Sequence, residues 1–154
     1  MALKIARFLT ELRNFGRVVL DTSVLIYHLN DTEPYSELTE AAFGAIAGGS
    51  PTAVLSTISI TEVLVKPYAD RRDDQIEAVD RFVQSLPNTR LVPPGYDIAR
   101  EAARLRAGYG LRVPDALLMA TALHEDAQVF LTNDNRLRRL KAEGLTVMVL
   151  ADYA

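Results

Sequence analysis

Five short apolar runs rich in β-branched residues, at 17–20, 53–58, 91–92, 128–131 and 146–150, alternate along the chain with helical patterns. The helical patterns fall at 3–15, 24–29, 35–46, 60–68, 73–84, 96–107, 115–124 and 135–142, several punctuated by Pro or Gly. Runs such as Arg17-Val18-Val19-Leu20 and Gln128-Val129-Phe130-Leu131 are too apolar to leave either face in water. That requirement excludes a half-solvated antiparallel sheet and predicts an α/β fold with a central parallel sheet between two layers of helices. At 154 residues the chain is expected to form a single domain, 1–154. Its first stretch, 1–16, reads as an N-terminal helical extension with Ile5, Phe8, Leu9, Leu12 and Phe15 on one stripe. Packing of that stripe on the body is the expectation.

In such a sheet, ligands bind beyond the carboxyl ends of the strands, where the strand order reverses. Four carboxylates stand at such places. Asp21 links Val18-Val19-Leu20 to Thr22-Ser23-Val24-Leu25-Ile26, and Glu62 lies within Ile60-Thr61-Glu62-Val63-Leu64, just after the second run. Asp115 follows Pro114 at the start of an Ala/Leu/Met-rich helix, and Asp134 sits in Thr132-Asn133-Asp134-Asn135. Each has a structural reading as a helix-start charge, and Ser59-Ile60-Thr61-Glu62 matches a capping box. Capping, however, is served as well by the hydroxyls and amide already beside these sites: Thr22, Ser23, Ser59, Thr61, Thr132 and Asn133.

Four unpaired carboxylates in one place repel one another unless a cation lies among them. The chain has no cysteine, and His28 and His124 have no partner at a ligand spacing, so any metal must take oxygen ligands. That donor set selects Mg²⁺ or Mn²⁺. Such an ion polarises phosphate oxygens and activates water for phosphodiester hydrolysis.

The segments Asp21-Thr22-Ser23-Val24-Leu25-Ile26, Ile60-Thr61-Glu62-Val63, Asp115 to Leu123, and Leu131-Thr132-Asn133-Asp134 resemble, in order and spacing, the four motifs of PIN-domain nucleases. The likeness is nearest to the VapC-type toxins of toxin–antitoxin pairs and runs from Arg17 onward. It implies a PIN-like three-layer fold and a metal-dependent ribonuclease, usually a homodimer, held inactive by an antitoxin whose C-terminal segment enters the active-site groove. It further implies that Asp21, Asp115 and Asp134 hold the metal. Glu62 is then a water-mediated ligand or the group orienting the attacking water, with Ser23 and Thr132 in support and Asn133 able to share the work of Asp134. The helix at 3–15 departs from the commonest pattern of that family, whose first strand begins near the N-terminus, and this bears on dimer geometry more than on chemistry.

Net charge is −3 with a pI near 5.4, which argues against a wholly basic nucleic-acid surface but leaves room for a local groove. Arg71, Arg72, Arg112, Arg136, Arg138, Arg139 and Lys141 are candidate phosphate contacts, and Arg112 and Arg136 lie nearest the acids. A haloacid-dehalogenase phosphatase would carry a second Asp where Ser23 stands, and a receiver domain an adjacent acidic pair. A non-catalytic or housekeeping PIN protein that binds or processes RNA is the alternative. The N-terminal segment lacks the cleavage site of a secretory signal, and no run approaches the roughly 20 apolar residues of a membrane span, so a cytoplasmic protein is expected.

Overall fold

A computed structural model describes residues 1–154. Helix α1 (Ala2–Leu12) precedes strand β1 (Arg17–Leu20), and helices α2 (Thr22–Leu29) and α3 (Ser36–Ala47) lead to β2 (Thr52–Ser56). Next come α4 (Thr57–Ala69), α5 (Asp73–Ser85), β3 (Thr89–Val92), α6 (Tyr96–Tyr109) and α7 (Val113–His124). The chain closes through β4 (Val129–Thr132), a 3₁₀ segment (Asn135–Glu143), β5 (Thr146–Val149) and a last 3₁₀ turn (Leu150–Asp152).

The five strands form one parallel sheet in the order β3-β2-β1-β4-β5. Burial on both faces follows from strict alternation. Val18 and Leu20 of β1, Ala53 and Leu55 of β2, and Val129 and Leu131 of β4 pack with Phe8, Leu12, Val24, Leu25, Leu38 and Val63 from α1 to α4. Their neighbours Val19, Val54 and Phe130 point the other way, onto Leu105, Leu118, Met119, Leu137 and Leu140 from α6, α7 and the 3₁₀ segment. The expected helix–sheet–helix sandwich is thus the observed one.

The strand order runs outward from β1 to β3 on one side and from β4 to β5 on the other, so it reverses between β1 and β4. Those two strands pair Leu20 with Leu131, and the backbone amide of Asp21 donates to the carbonyl of Leu131 at 2.9 Å. Asp21 and Thr132 therefore emerge side by side at the reversal point.

Several element ends differ by a few residues from the sequence reading, and two differences bear on the site. The second strand stops at Ser56, whose extended backbone (ψ 141°) and hydroxyl, accepting from the Ile58 amide at 3.2 Å, cap α4 two residues before the expected end of the run. Residues 135–142, expected as an ordinary helix, wind as the tighter 3₁₀ form up to Gly144, whose φ of +81° ends it in the left-handed region. Helix α1 lies on the body, its Phe8 and Leu12 fully buried and Ile5, Leu9 and Phe15 packed against the same cluster. No helix is long and apolar enough to cross a membrane.

Candidate active site

Asp21 follows the last residue of β1 in an extended conformation (ψ 155°) and is the N-cap of α2, its Oδ1 accepting from the Thr22 amide at 2.8 Å. Its other oxygen accepts from the Thr132 hydroxyl at 2.6 Å and the Ser23 hydroxyl at 3.2 Å. Thr132 is fully buried, and its oxygen also accepts from the amide of Asp134 at 2.9 Å, so one hydroxyl ties the first acid to the last across the strand pair. Desolvation outweighs these three hydrogen bonds and, with the nearby Asp115 charge, holds the Asp21 carboxyl above the usual range for an aspartate.

Glu62 lies in the second turn of α4, because that helix begins at Thr57. The capping-box reading of Ser59 and Glu62 is therefore wrong: Ser56 is the cap, and Ser59 is fully buried against Thr22. The Thr22 hydroxyl donates to Glu62 Oε1 at 2.7 Å and accepts from the Ser59 hydroxyl at 2.8 Å, which orients the glutamate toward the strand ends. Neither Thr22 nor Ser59 was singled out for this role from sequence. Asp115 stands in the first turn of α7 behind Pro114 and is 9% exposed.

The four acids, Asp21, Glu62, Asp115 and Asp134, line one open cavity of about 430 Å³ with Thr22, Ser23, Arg112, Asn133 and Asn135, and only Ile26 and Tyr27 are apolar among its walls. Four segments spread along the chain meet there. They are not the unpaired quartet anticipated from sequence. Arg112 Nε and Nη2 contact both oxygens of Asp115 at 3.0 and 3.3 Å, and Arg136 grips Asp134 through Nε and Nη2 at 3.0 and 2.8 Å. The Arg136 guanidinium, aided by its own amide, holds the Asp134 carboxyl below the usual range. As the side chains stand, no three acids or histidines are grouped tightly enough to enclose an ion, because two of the four are turned onto their own arginines.

The chemistry of the walls nevertheless fits a hard divalent cation. The carboxylates offer only oxygen donors, the cavity contains no imidazole, and burial, with the Asp115 charge beside it, already holds its least exposed acid, Asp21, above the usual aspartate range, a cost that a bound cation would offset. Both arginine side chains are mostly exposed, at 67% and 74%, so their pairs with the acids are weak and replaceable.

Other residues named from sequence are engaged in structural contacts, and of these only Asn133 lines the cavity. The Asn133 amide is committed to structure, Nδ2 donating to the Tyr27 hydroxyl at 3.2 Å and Oδ1 accepting from the Ala151 amide at 2.9 Å. Arg72 pairs with Asp74 and Arg138 with Asp152, and Arg139 donates to the carbonyl of Tyr109. His28 packs on Phe43 and Phe82, and its burial lowers its pKa, while His124 is exposed in the last turn of α7. Neither histidine lines the cavity.

The model of the PIN domain matches residues 18–143, most of the chain. The chain belongs to the PIN domain family. No curated protein matches it. Among solved structures this PIN domain is similar to a chain of VapBC2 from Rickettsia felis, bound there to a DNA fragment from the promoter. The TM-score is 0.69 at 17% identity, over 86% of this chain and 98% of that one. FitAcB from Neisseria gonorrhoeae gives a TM-score of 0.65 at 20% identity, covering 87% and 98%. A toxin–antitoxin complex from Klebsiella pneumoniae gives 0.62 at 22%, covering 86% and 97%. Helix α1 precedes the matched region, which begins at Val18.

Proposed function

We propose that this PIN domain is a Mg²⁺- or Mn²⁺-dependent endoribonuclease and the toxin of a toxin–antitoxin pair. The observation that carries the reading is the meeting of four carboxylates, from four separated segments, in one cavity at the reversal point of a parallel sheet. Asp21, Asp115 and Asp134 would hold the metal, which when bound supplies a polarised phosphate and an activated water. Glu62, held in place by the Thr22 hydroxyl, would orient the attacking water. Ser23 and Thr132 keep the Asp21 carboxylate facing the cavity, and Arg112 and Arg136 exchange their aspartates for RNA phosphates as the polyanion arrives.

The similar structure from Klebsiella pneumoniae is a toxin–antitoxin complex, which supports an antitoxin partner. A second, more apolar cavity of about 400 Å³ adjoins the acidic one, sharing Ile26 and Glu62 and lined by Leu29, Val63, Pro67 and Val79. Together they make a groove in which an inhibitory segment with apolar and charged residues would lie. A homodimer and a cytoplasmic setting complete the reading.

The test is cleavage of single-stranded RNA by the purified protein with Mn²⁺ or Mg²⁺, and its arrest by EDTA. Cleavage that survives thorough chelation would remove the metal from the reaction, and no cleavage under any divalent ion would favour a non-catalytic RNA-binding PIN domain. Mn²⁺ should also raise the melting temperature in proportion to RT ln(1 + [L]/Kd), and the rise should be absent in Asp21→Asn. An equal rise in that variant would place the ion elsewhere.

Arg112→Ala is expected to slow RNA cleavage and to lower the salt slope of activity by about one. The exposed pair it removes is worth no more than about 1 kcal/mol, so the fold should be little affected. Identical salt slopes would leave Arg112 as the counterion of Asp115 and nothing more.

A further inference from the structure

An acidic cavity suited to a cation has no evident use for an aromatic ring, yet Tyr27 is in its wall, the one aromatic side chain there. It lies on α2, one helical turn after Ser23 and hence on the same face as that residue. The ring is held on two sides. Tyr35 stacks behind it, with centroids 4.8 Å apart and planes 18° from parallel, and Asn133 Nδ2 donates to its hydroxyl at 3.2 Å. Asn133 is itself pinned by the Ala151 amide at 2.9 Å, so the hydroxyl end is tethered to the start of the last 3₁₀ turn. Both tyrosines are only partly buried. A ring serving the core alone needs neither a place beside four carboxylates nor a dedicated amide to fix its orientation.

We infer that Tyr27, backed by Tyr35 and tethered by Asn133, is a stacking platform for one unpaired base of the RNA beside the scissile phosphate. This deepens the ribonuclease reading and rests on it. Stacking is the contact an aromatic face offers any base, and it requires that the base be free of its duplex partner. The platform therefore restricts the substrate to single-stranded or looped RNA. It does so without a hydrogen-bond code, because the flanking acids would repel phosphate on that side unless the base anchors the strand. Two stacked rings fixed at one end present a rigid surface, so little conformational freedom is lost when the base arrives.

The test is stopped-flow mixing of the protein and Mn²⁺ with short single-stranded RNAs carrying 2-aminopurine at successive positions, the fluorescence being read before cleavage. Quenching at one position, absent with the same label inside a duplex, is expected for the native chain. Tyr27→Phe should keep the quench, and Tyr27→Leu should lose it and raise KM roughly ten- to a hundredfold, with kcat changed far less. Photocrosslinking of 5-iodouridine RNA, mapped by mass spectrometry to Tyr27, gives the same answer without relying on a variant that must fold. Quenching without cleavage would support the platform while the nuclease reading failed. Cleavage without a position-specific quench, or with an unchanged KM in a folded Tyr27→Leu variant, would overturn the platform and leave the nuclease reading intact.

Discussion

Asp115→Asn is expected to lower RNA cleavage at least about a hundredfold while leaving the melting temperature within a few degrees of the native chain. The residue is 9% exposed and stands in the first turn of α7 after Pro114, so a structural carboxylate there should matter to the fold. Its one ion pair, however, is with Arg112, whose side chain is 67% exposed, and pairs of that kind contribute at most about 1 kcal/mol. Removing the charge also relieves Asp21, whose raised pKa is partly owed to Asp115. These two effects oppose each other, and Asn keeps the shape and a tolerable helix start. Differential scanning calorimetry beside a cleavage assay decides the matter: a fall of about ten degrees or more would assign Asp115 to the fold instead.

The largest effect on stability is expected from Phe8→Ala, about 3–5 kcal/mol by chemical denaturation. Phe8 is fully buried, sits edge-on to Tyr153 with centroids 5.2 Å apart, and shares its cluster with Leu12 of α1, Leu20 of β1 and Leu131 of β4. The contact between helix and C-terminal segment is reinforced at its rim, where Arg7 lies over the Tyr153 ring at 5.0 Å and the Tyr153 hydroxyl donates to Glu11. That hydroxyl holds the Glu11 carboxyl below its usual range. Glu11 thus contributes its small stabilisation above the ordinary carboxylate pKa and loses it only as pH falls through the lowered value. A loss below about 1 kcal/mol for Phe8→Ala would mean that α1 is a loosely attached extension.

The sheet was legible because its chemistry is local: a strand buried on both faces must be apolar at every position, and Val18-Val19-Leu20 and Val129-Phe130-Leu131 are. Asp21, Glu62 and Asp134 were legible for a related reason, since each follows such a run within a few residues, whereas Asp115 was marked by Pro114 at a helix start. What sequence obscured was the use made of side chains by partners distant along the chain. Ser59 and Glu62 spell a capping box, and only the fold reveals that Ser56 takes the cap while Thr22, forty residues before Glu62, holds the glutamate. The arginine pairs were closer to view. Arg112 and Asp115 are three residues apart at a helix start, and Arg136 is two from Asp134, so the spacing permitted an ion pair as readily as a phosphate contact. Tyr27 had a signal too, four residues after Ser23, but its stacking on Tyr35 and tether to Asn133 belong to the tertiary structure alone.

The pairing of β1 with β4 has a consequence during synthesis. Val18 finds its partner Val129 only after more than a hundred intervening residues have left the ribosome, and the hydroxyl that links Asp21 to Asp134 belongs to the last residue of β4. A nascent chain halted before that point can pair β1 with β2 and β2 with β3, but it has no wall on the far side of Asp21. Long-range parallel pairing of this kind is late and slow in folding. The pocket is consequently assembled only once β4 has emerged, and a polypeptide halted before it has no partial version of the pocket.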